Sequence, residues 1–90
     1  MERSLNNFGY EVLEKKDTSA AIRVFMLNAQ AFPKSANVWD SLGEAYMKAG
    51  DMKAAKRYYE RSLKLDPKND AARENLKRIK EATGKQVIRR

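Results

Sequence analysis

The sequence contains no cysteine and no histidine among its 90 residues. Without cysteine, disulfide bonds are excluded and the redox compartment cannot be read. Without histidine, the chain lacks the commonest general base and the commonest metal ligand. It also has no Gly-rich phosphate-binding loop and no Gly-x-Ser-x-Gly nucleophile motif. We therefore expect no enzymatic activity within these residues, no cofactor and no metal ion.

Long apolar runs are also missing. No run approaches the length that spans a bilayer, and no secretory signal is visible, so we expect no membrane partner. The sequence leaves the compartment unknown, with the cytoplasm as the default. The two prolines and four glycines all lie near proposed turns or helix contacts, so no linker divides the chain. With 42% hydrophobic residues, a chain of this length forms one domain with a small core.

The formal net charge of +7 comes entirely from the second half of the chain. Residues 1–50 carry six basic and six acidic side chains, whereas residues 51–90 carry thirteen basic and six acidic ones. Clustered cations attract phosphates, so nucleic-acid or anionic-surface binding through this half, with Tyr58 stacking on a base, is an alternative function. Interspersed acidic residues and the absence of a recognition motif favour an ordinary solvated surface, and we expect no nucleic-acid partner.

Residues 36–67 contain two apolar stripes at helical spacing, separated by Gly50-Asp51 and closed by Pro67. That order predicts two antiparallel helices joined by a short turn. Small residues next to the rings allow the two helices to approach closely. The key positions are Trp39, Leu42, Gly43, Tyr46, Ala55, Tyr59 and Pro67.

The same pattern occurs 34 residues earlier, which indicates an internal repeat. The corresponding positions are Leu5, Phe8, Gly9, Val12, Ala21, Phe25 and Pro33. A shift forward places Leu76 under Leu42, but lysines replace the glycine and the tyrosine that follow. The third copy is therefore a single, polar helix.

This pattern resembles the tetratricopeptide repeat, W-x2-L-G-x2-Y followed by A-x3-F and P, with Tyr59 in place of Phe. The resemblance implies an all-α, right-handed α-solenoid of two helical hairpins and a C-terminal capping helix. We predict one domain at 1–84, with repeats at about 2–35 and 36–69, a capping helix at about 70–83 and a basic tail at 85–90. The fifth helix is expected to end near Gly84. The predicted core comprises Leu5, Phe8, Val12, Ala21, Phe25, Trp39, Leu42, Tyr46, Ala55, Tyr59, Leu76 and Ile79.

The same resemblance implies a protein or peptide partner in a concave groove, held by first-helix residues outside the core stripe. Those residues are Asn6, Tyr10, Leu13, Asn37, Asp40, Glu44, Met47 and Lys48. Asparagine amides can pair with an extended peptide backbone, and the other side chains offer apolar and charged contacts. An ordinary solvated surface is the alternative.

One subtype of the family is excluded by its binding residues. Co-chaperones that grip the C-terminal carboxylate of heat-shock chaperones use a Lys/Asn/Asn/Lys/Arg clamp. The residues at the corresponding positions here are Asn6, Tyr10, Ser41, Ala71 and Asn75, and none of them matches. The chain therefore has no cationic clamp for a terminal carboxylate.

The second helix is apolar beyond its core stripe. Ile22, Met26 and Leu27 lie beside that stripe, whereas their counterparts 34 residues later are charged. A helix that is apolar on several faces is normally covered on more than one of them. We predict a docking patch there for a second copy, giving a homodimer, or for an adjacent catalytic domain. The alternative is that these side chains are singly exposed or are buried against the first helix.

Residues 25–46 carry a narrower resemblance. The segment from Phe25 through Asn28 to Trp39 and Tyr46 is similar to the short tetratricopeptide tail that follows the catalytic domain of some bacterial serine hydrolases, both β-lactamase-like and esterase-like. This likeness implies that a hydrolase activity would lie outside these 90 residues. A free-standing adaptor or an engineered repeat protein are the alternatives.

Overall fold

Helices make up the chain apart from short turns in the computed structural model, which describes residues 2–88 and side chains through Ala82. The helices are α1 (Glu2–Glu14), α2 (Thr18–Ala31), α3 (Ala36–Lys48), α4 (Met52–Leu65) and α5 (Asp70–Ile88). Each helix packs against the next one in the chain, and α1 also contacts α3. Over the described residues this is the all-α helical repeat fold that the sequence predicts.

The fifth helix is longer than predicted. It runs through Gly84 to Ile88, so the expected helix end near Gly84 is wrong. The predicted boundary between the domain and a basic tail stays a prediction. A single helical glycine costs only about 1 kcal/mol relative to alanine, and Lys85 and Gln86 after it favour helix. The last two residues of the predicted tail, 89 and 90, lie outside the described residues.

The turn that closes each first helix has the same construction in both repeats. Asp17 and Asp51 are the N-caps of α2 and α4, and each carboxylate accepts a hydrogen bond at 3.1 Å from the backbone N–H three residues later. The residue before each cap is in the left-handed region, with φ of 65° at Lys16 and 88° at Gly50. The turn geometry therefore repeats even where the residue type does not.

Each second helix is also tied to the start of its own first helix. In the first repeat, Asn28 on α2 donates from Nδ2 to the carbonyl oxygen of Glu2 at 2.9 Å. In the second repeat, Ser62 on α4 donates from Oγ to the carbonyl oxygen of Ala36 at 2.8 Å, and both of these residues lie 34 positions after their counterparts. Both donors are fully buried, so each hydrogen bond fixes its hairpin from inside the stack.

Two buried clusters form the core of the described chain. The first joins α1, α2 and α3, and its buried members are Leu13, Ala21, Phe25, Ala29, Val38, Trp39, Leu42 and Ala45. The second joins α4 and α5, and its buried members are Ala55, Tyr59, Ala72, Leu76 and Ile79. Eight of the predicted core residues are among them, and Leu5, Val12 and Tyr46 are partly buried.

Phe8 was predicted in the core, but its side chain is 52% exposed. Its counterpart Leu42 is fully buried in the cluster that α3 shares with α2. No hairpin precedes α1 within the described residues, so nothing covers the same position of the first repeat. The repeat pattern therefore identified Phe8 as a core position, although burial at that position requires a preceding hairpin.

Candidate functional site

A cleft lies between α1 and α3, and we call it the groove. Its lining consists of Tyr10, Leu13, Glu14, Lys16, Thr18, Glu44 and Lys48. Four of these residues, Tyr10, Leu13, Glu44 and Lys48, are among the eight positions that the sequence predicts for peptide contact. The repeat therefore brings first-helix residues from both hairpins to one surface.

Tyr10 links the groove to the core. Its hydroxyl donates a hydrogen bond to Glu44 Oε1 at 2.8 Å and lies 3.2 Å from Ser41 Oγ. Its ring packs edge-on against Phe25, with centroids 5.0 Å apart. Burial raises the pKa of Tyr10, and the charge of Glu44 adds to that shift, so the phenol stays neutral and acts as a donor. Glu44 is thereby held in place across the groove.

Two carboxylates of α3 were predicted as groove contacts, and of these Glu44 lines the groove whereas Asp40 is not among its lining residues. Asp40 is half-buried one helical turn before Glu44, and burial raises the pKa of Asp40; the charge of Glu44 adds to this effect, while the Asn69 side chain opposes it. Burial raises the pKa of Tyr59 on α4, and both carboxylates contribute. In the part of the chain that the structure describes, the ion pair joins Arg73 to Asp70, and neither Asp40 nor Glu44 has a cationic partner.

The remaining predicted groove residues differ in how accessible they are. Asn37 is exposed, whereas Asn6 is partly buried and its Oδ1 has no hydrogen-bond partner among the described residues. Met47 is partly buried against the second core cluster. Leu13 lines the groove but is only 7% exposed, so its main role is in the core.

Sequence reasoning missed three residues of the groove lining. Glu14 lies 34 residues before Lys48, so the repeat shift applied to Lys48 could have found it. Lys16 lies in the turn between α1 and α2, and Thr18 is the first residue of α2. The predicted groove contacts were drawn from the first helices of the two hairpins, so neither residue was among them.

The three residues of the predicted docking patch are not equally accessible. Ile22 and Met26 are partly buried and pack against the first core cluster, and Leu27 alone of the three is exposed, at 60%. The prediction assumed that a preceding repeat would be needed to cover them. Met26 instead lines a cleft shared with the following hairpin, so an internal neighbour accounts for part of the apolar character of α2.

That second cleft lies between α2 and α4, and we call it the basic cleft. Its lining consists of Met26, Gln30, Trp39, Arg57, Tyr58, Glu60, Arg61 and Lys64. The Trp39 indole N–H donates to the carbonyl oxygen of Pro33 at 2.8 Å. The Arg61 guanidinium carbon is 4.4 Å from the centre of the Trp39 ring, within the range of a cation–π interaction.

Tyr58 stacks with two other aromatic side chains, Trp39 and Tyr46. Its ring lies 5.7 Å from that of Trp39 and 5.4 Å from that of Tyr46, with interplanar angles of 12° and 21°. Trp39 and Tyr46 are two turns apart on α3, and Tyr58 of α4 stacks with both of them. These internal contacts reduce the ring area on which a base could stack, and base stacking on Tyr58 stays a prediction.

None of the described helices combines the length and apolarity required to cross a bilayer. No group of three or more acidic side chains in the described range is arranged to hold a metal ion.

Comparison with known proteins gives a family match for one repeat and a similar fold for the chain. Residues 36–69 match the model of the tetratricopeptide repeat family. A solved structure described as the first TPR of Spaghetti (RPAP3) bound to HSP90 peptide SRMEEVD is similar, with a TM-score of 0.53 and 18% identity over 92% of this chain and 93% of that chain. This likeness shows a shared fold. No curated protein matches the sequence.

Proposed function

We propose that this chain is a non-catalytic interaction module that holds an extended segment of another protein in the groove between α1 and α3. The carrying observation is that four predicted contact residues from two hairpins line one cleft. That cleft combines an apolar part, Tyr10 and Leu13, with the charged side chains Glu44 and Lys48. Concave sites with a few well-placed polar groups are typical of ligand binding.

The structural neighbour supports peptide binding as a class and also suggests a difference in ligand. The peptide in that structure, SRMEEVD, ends in a strongly acidic segment. Here Glu44 lines the groove without an ion-pair partner among the described residues, and the clamp positions Asn6, Tyr10 and Ser41 carry no cation. Like charges disfavour association, so we expect the segment bound in this groove to lack a terminal acidic cluster.

The chemistry of the groove supports binding without catalysis. Ser41 is the hydroxyl nearest to Tyr10 and Glu44, but it is only 1% exposed and cannot reach a substrate. Tyr10 is held neutral as a hydrogen-bond donor, and the sequence has no histidine to act as a base. These residues fix the shape of a surface and form no nucleophile–base pair.

Two lysines provide a matched test of this proposal. Peptides selected from a random library for binding to the chain should bind Lys48→Glu at least about tenfold more weakly, because Lys48 lines the groove. Lys53→Glu makes the same charge change at an exposed position on α4, outside the groove lining, and should leave the affinity unchanged. If all selected peptides bind both variants equally well, the groove is not the binding site.

We also propose that α2 contributes a second contact, to a further copy or to an attached catalytic domain of the serine hydrolase type. The support is the exposed Leu27, together with the sequence resemblance of residues 25–46. The gene's full reading frame tests the hydrolase part: a hydrolase domain encoded next to these residues would support it, and any other neighbouring domain would contradict it. Light scattering of the purified chain tests self-association.

A further inference from the structure

We propose that the basic cleft between α2 and α4 is a second, separate binding site, and that its ligand is an acidic protein segment carrying an apolar side chain. This site lies on second helices, whereas the groove lies on first helices. The proposal does not depend on peptide binding in the groove. It rests on the charges at the rim of the cleft, its apolar floor and the position of one arginine.

The rim of the cleft carries three cations that have no ion-pair partner among the described residues. Arg57, Arg61 and Lys64 are spaced by four and three residues on α4, so they form one stripe along the helix. All three are exposed, and none is in an ion pair within the described residues, although Glu60 also lines the cleft. This unbalanced positive charge complements an acidic ligand.

The floor of the cleft is apolar. Met26 is partly buried, and Trp39 and Tyr58 are the other apolar residues that line the cleft. Methionine adapts its shape to different apolar ligands, and the hydrogen bond from Trp39 to the Pro33 carbonyl oxygen keeps the indole fixed. An aliphatic side chain of a ligand can therefore be buried between the two helices, below the cations.

Arg61 is already oriented for an anion. Its guanidinium lies over the Trp39 ring, which limits the freedom of an otherwise flexible side chain. A planar guanidinium offers two parallel N–H donors to a carboxylate, and little entropy is lost when the plane is fixed in advance. A carboxylate of the ligand is expected to pair with Arg61 from the solvent side.

The cationic stripe is not a requirement of the repeat itself. At the first-repeat positions of Arg61 and Lys64 the chain has Leu27 and Gln30, and that repeat packs without these charges. Only Arg57 has a basic counterpart, Arg23. The charges of α4 are thus a property of the second repeat alone, as expected for a binding surface.

A protein segment fits this cleft better than a nucleic acid does. Single-stranded nucleic acids bind by stacking their bases on aromatic faces, in addition to electrostatic attraction. Here Trp39 is only 9% exposed and lies beneath Arg61, and Tyr58 is partly buried and already stacks with Trp39 and Tyr46. The surface that remains is an apolar strip with cations beside it, which matches carboxylates alternating with aliphatic side chains.

Trp39 makes the cleft directly observable. It is the chain's single tryptophan and lies at the cleft floor, so its emission reports this site. The probe is a short peptide rich in Asp and Glu with two leucines one helical turn apart. We expect a saturable change in Trp39 emission, lost when serine replaces both leucines and weakened by added salt.

Charge variants of α4 complete the experiment. Arg57→Gln/Lys64→Gln should weaken binding of the acidic peptide about tenfold, whereas Lys53→Gln/Lys56→Gln, which removes the same charge from the same helix outside the cleft, should change it less than about twofold. Equal weakening by both variants, or no emission change with any acidic peptide, overturns the proposal. A single-stranded oligonucleotide or polyphosphate that binds as tightly as the peptide with the same emission change also overturns it, in favour of a general anion site. None of these results alters the test of Lys48 in the groove.

Discussion

Gly9 of α1 lies directly against the ring of Phe25 of α2. A β-carbon built at Gly9 would be 2.3 Å from Phe25 Cε1, far inside van der Waals contact. The second repeat has the same relationship between Gly43 and Tyr59, where the shortest distance would be 3.1 Å. The glycine of the repeat is therefore needed where the first helix crosses an aromatic ring of the second, and the first repeat is the tighter of the two.

Alanine at these two positions should have different effects. Alanine is favoured over glycine in a helix by about 1 kcal/mol, whereas overpacking a rigid core costs about 1–3 kcal/mol. Because Phe25 is fully buried and cannot move aside, Gly9→Ala should lower the free energy of unfolding by about 1–2 kcal/mol. Gly43→Ala should be close to neutral. Urea unfolding measures both, and a larger loss for Gly43→Ala would contradict the distances.

Exchanging the residues before the two N-caps should change stability in opposite directions. Lys16 has a φ of 65°, a conformation that costs a non-glycine residue about 1–2 kcal/mol. Glycine relieves this strain but gains entropy in the unfolded chain, so Lys16→Gly should raise the free energy of unfolding by about 0.5–1 kcal/mol. Gly50→Lys should lower it. Stabilisation by Gly50→Lys would show that backbone conformation does not control these turns.

Trp39 should be among the most sensitive positions of the chain. It is 9% exposed, donates to the Pro33 carbonyl oxygen and stacks on Tyr58. Trp39→Ala should cost about 3–5 kcal/mol, enough to unfold a domain of this size. Trp39→Phe keeps a ring for Tyr58 and should cost less. Circular dichroism melts compare the two; a Trp39→Ala variant melting within a few degrees of wild type would contradict the burial.

Leu27 and Met26 are neighbours in sequence with opposite surroundings. Leu27 is 60% exposed, so Leu27→Lys should change the free energy of unfolding by less than about 0.5 kcal/mol. Met26 packs against the core, so Met26→Lys should cost about 1–3 kcal/mol. Thermal melts separate the two effects. If Leu27→Lys also abolishes a self-association seen by light scattering, the contact proposed for α2 is supported.

Asp40 should stabilise the folded protein more at acidic pH than at neutral pH, because its carboxyl is half-buried. Its folded pKa is raised above the unfolded value of about 3.9, so the folded state favours the protonated carboxyl. That contribution to stability is present below the unfolded pKa and is lost as pH rises through the folded pKa.

Asp40→Asn is the corresponding variant. Its free energy of unfolding relative to wild type should therefore increase between about pH 3 and about pH 7. Glu60→Gln, at an exposed position on α4, is the matched control. A difference between Asp40→Asn and wild type that stays constant across this range, measured by urea unfolding, would contradict the half-buried position of the carboxyl beside Glu44.

Local sequence signals predicted most of the helices and turns. Asp51 after Gly50 marked the start of α4, and Pro33 marked the end of α2, because caps and prolines act on the residues next to them. The repeat shift placed Tyr10 and Glu44 on one surface, because residues 34 apart occupy equivalent positions in the two repeats. Both predictions use information carried within one or two helices.

The sequence was a poorer guide to which neighbouring element covers each face of a helix. Phe8 has the right residue type for burial, but no preceding hairpin in the described chain covers it. The apolar positions Ile22 and Met26 are explained by a neighbour inside the chain, and periodicity does not say on which side a neighbour lies. The placement of Arg61 over Trp39 depends on side-chain rotamers, and no pattern in the sequence specifies those.

The position of α2 has a consequence for the groove. The walls of the groove, α1 and α3, contact each other much less than each contacts α2, and Asn28 of α2 ties down the beginning of α1. The width of the groove is therefore set by the thickness of a helix that does not form its walls. Buried side chains such as Phe25 act as spacers, and a change in their volume would alter ligand selectivity without touching the ligand.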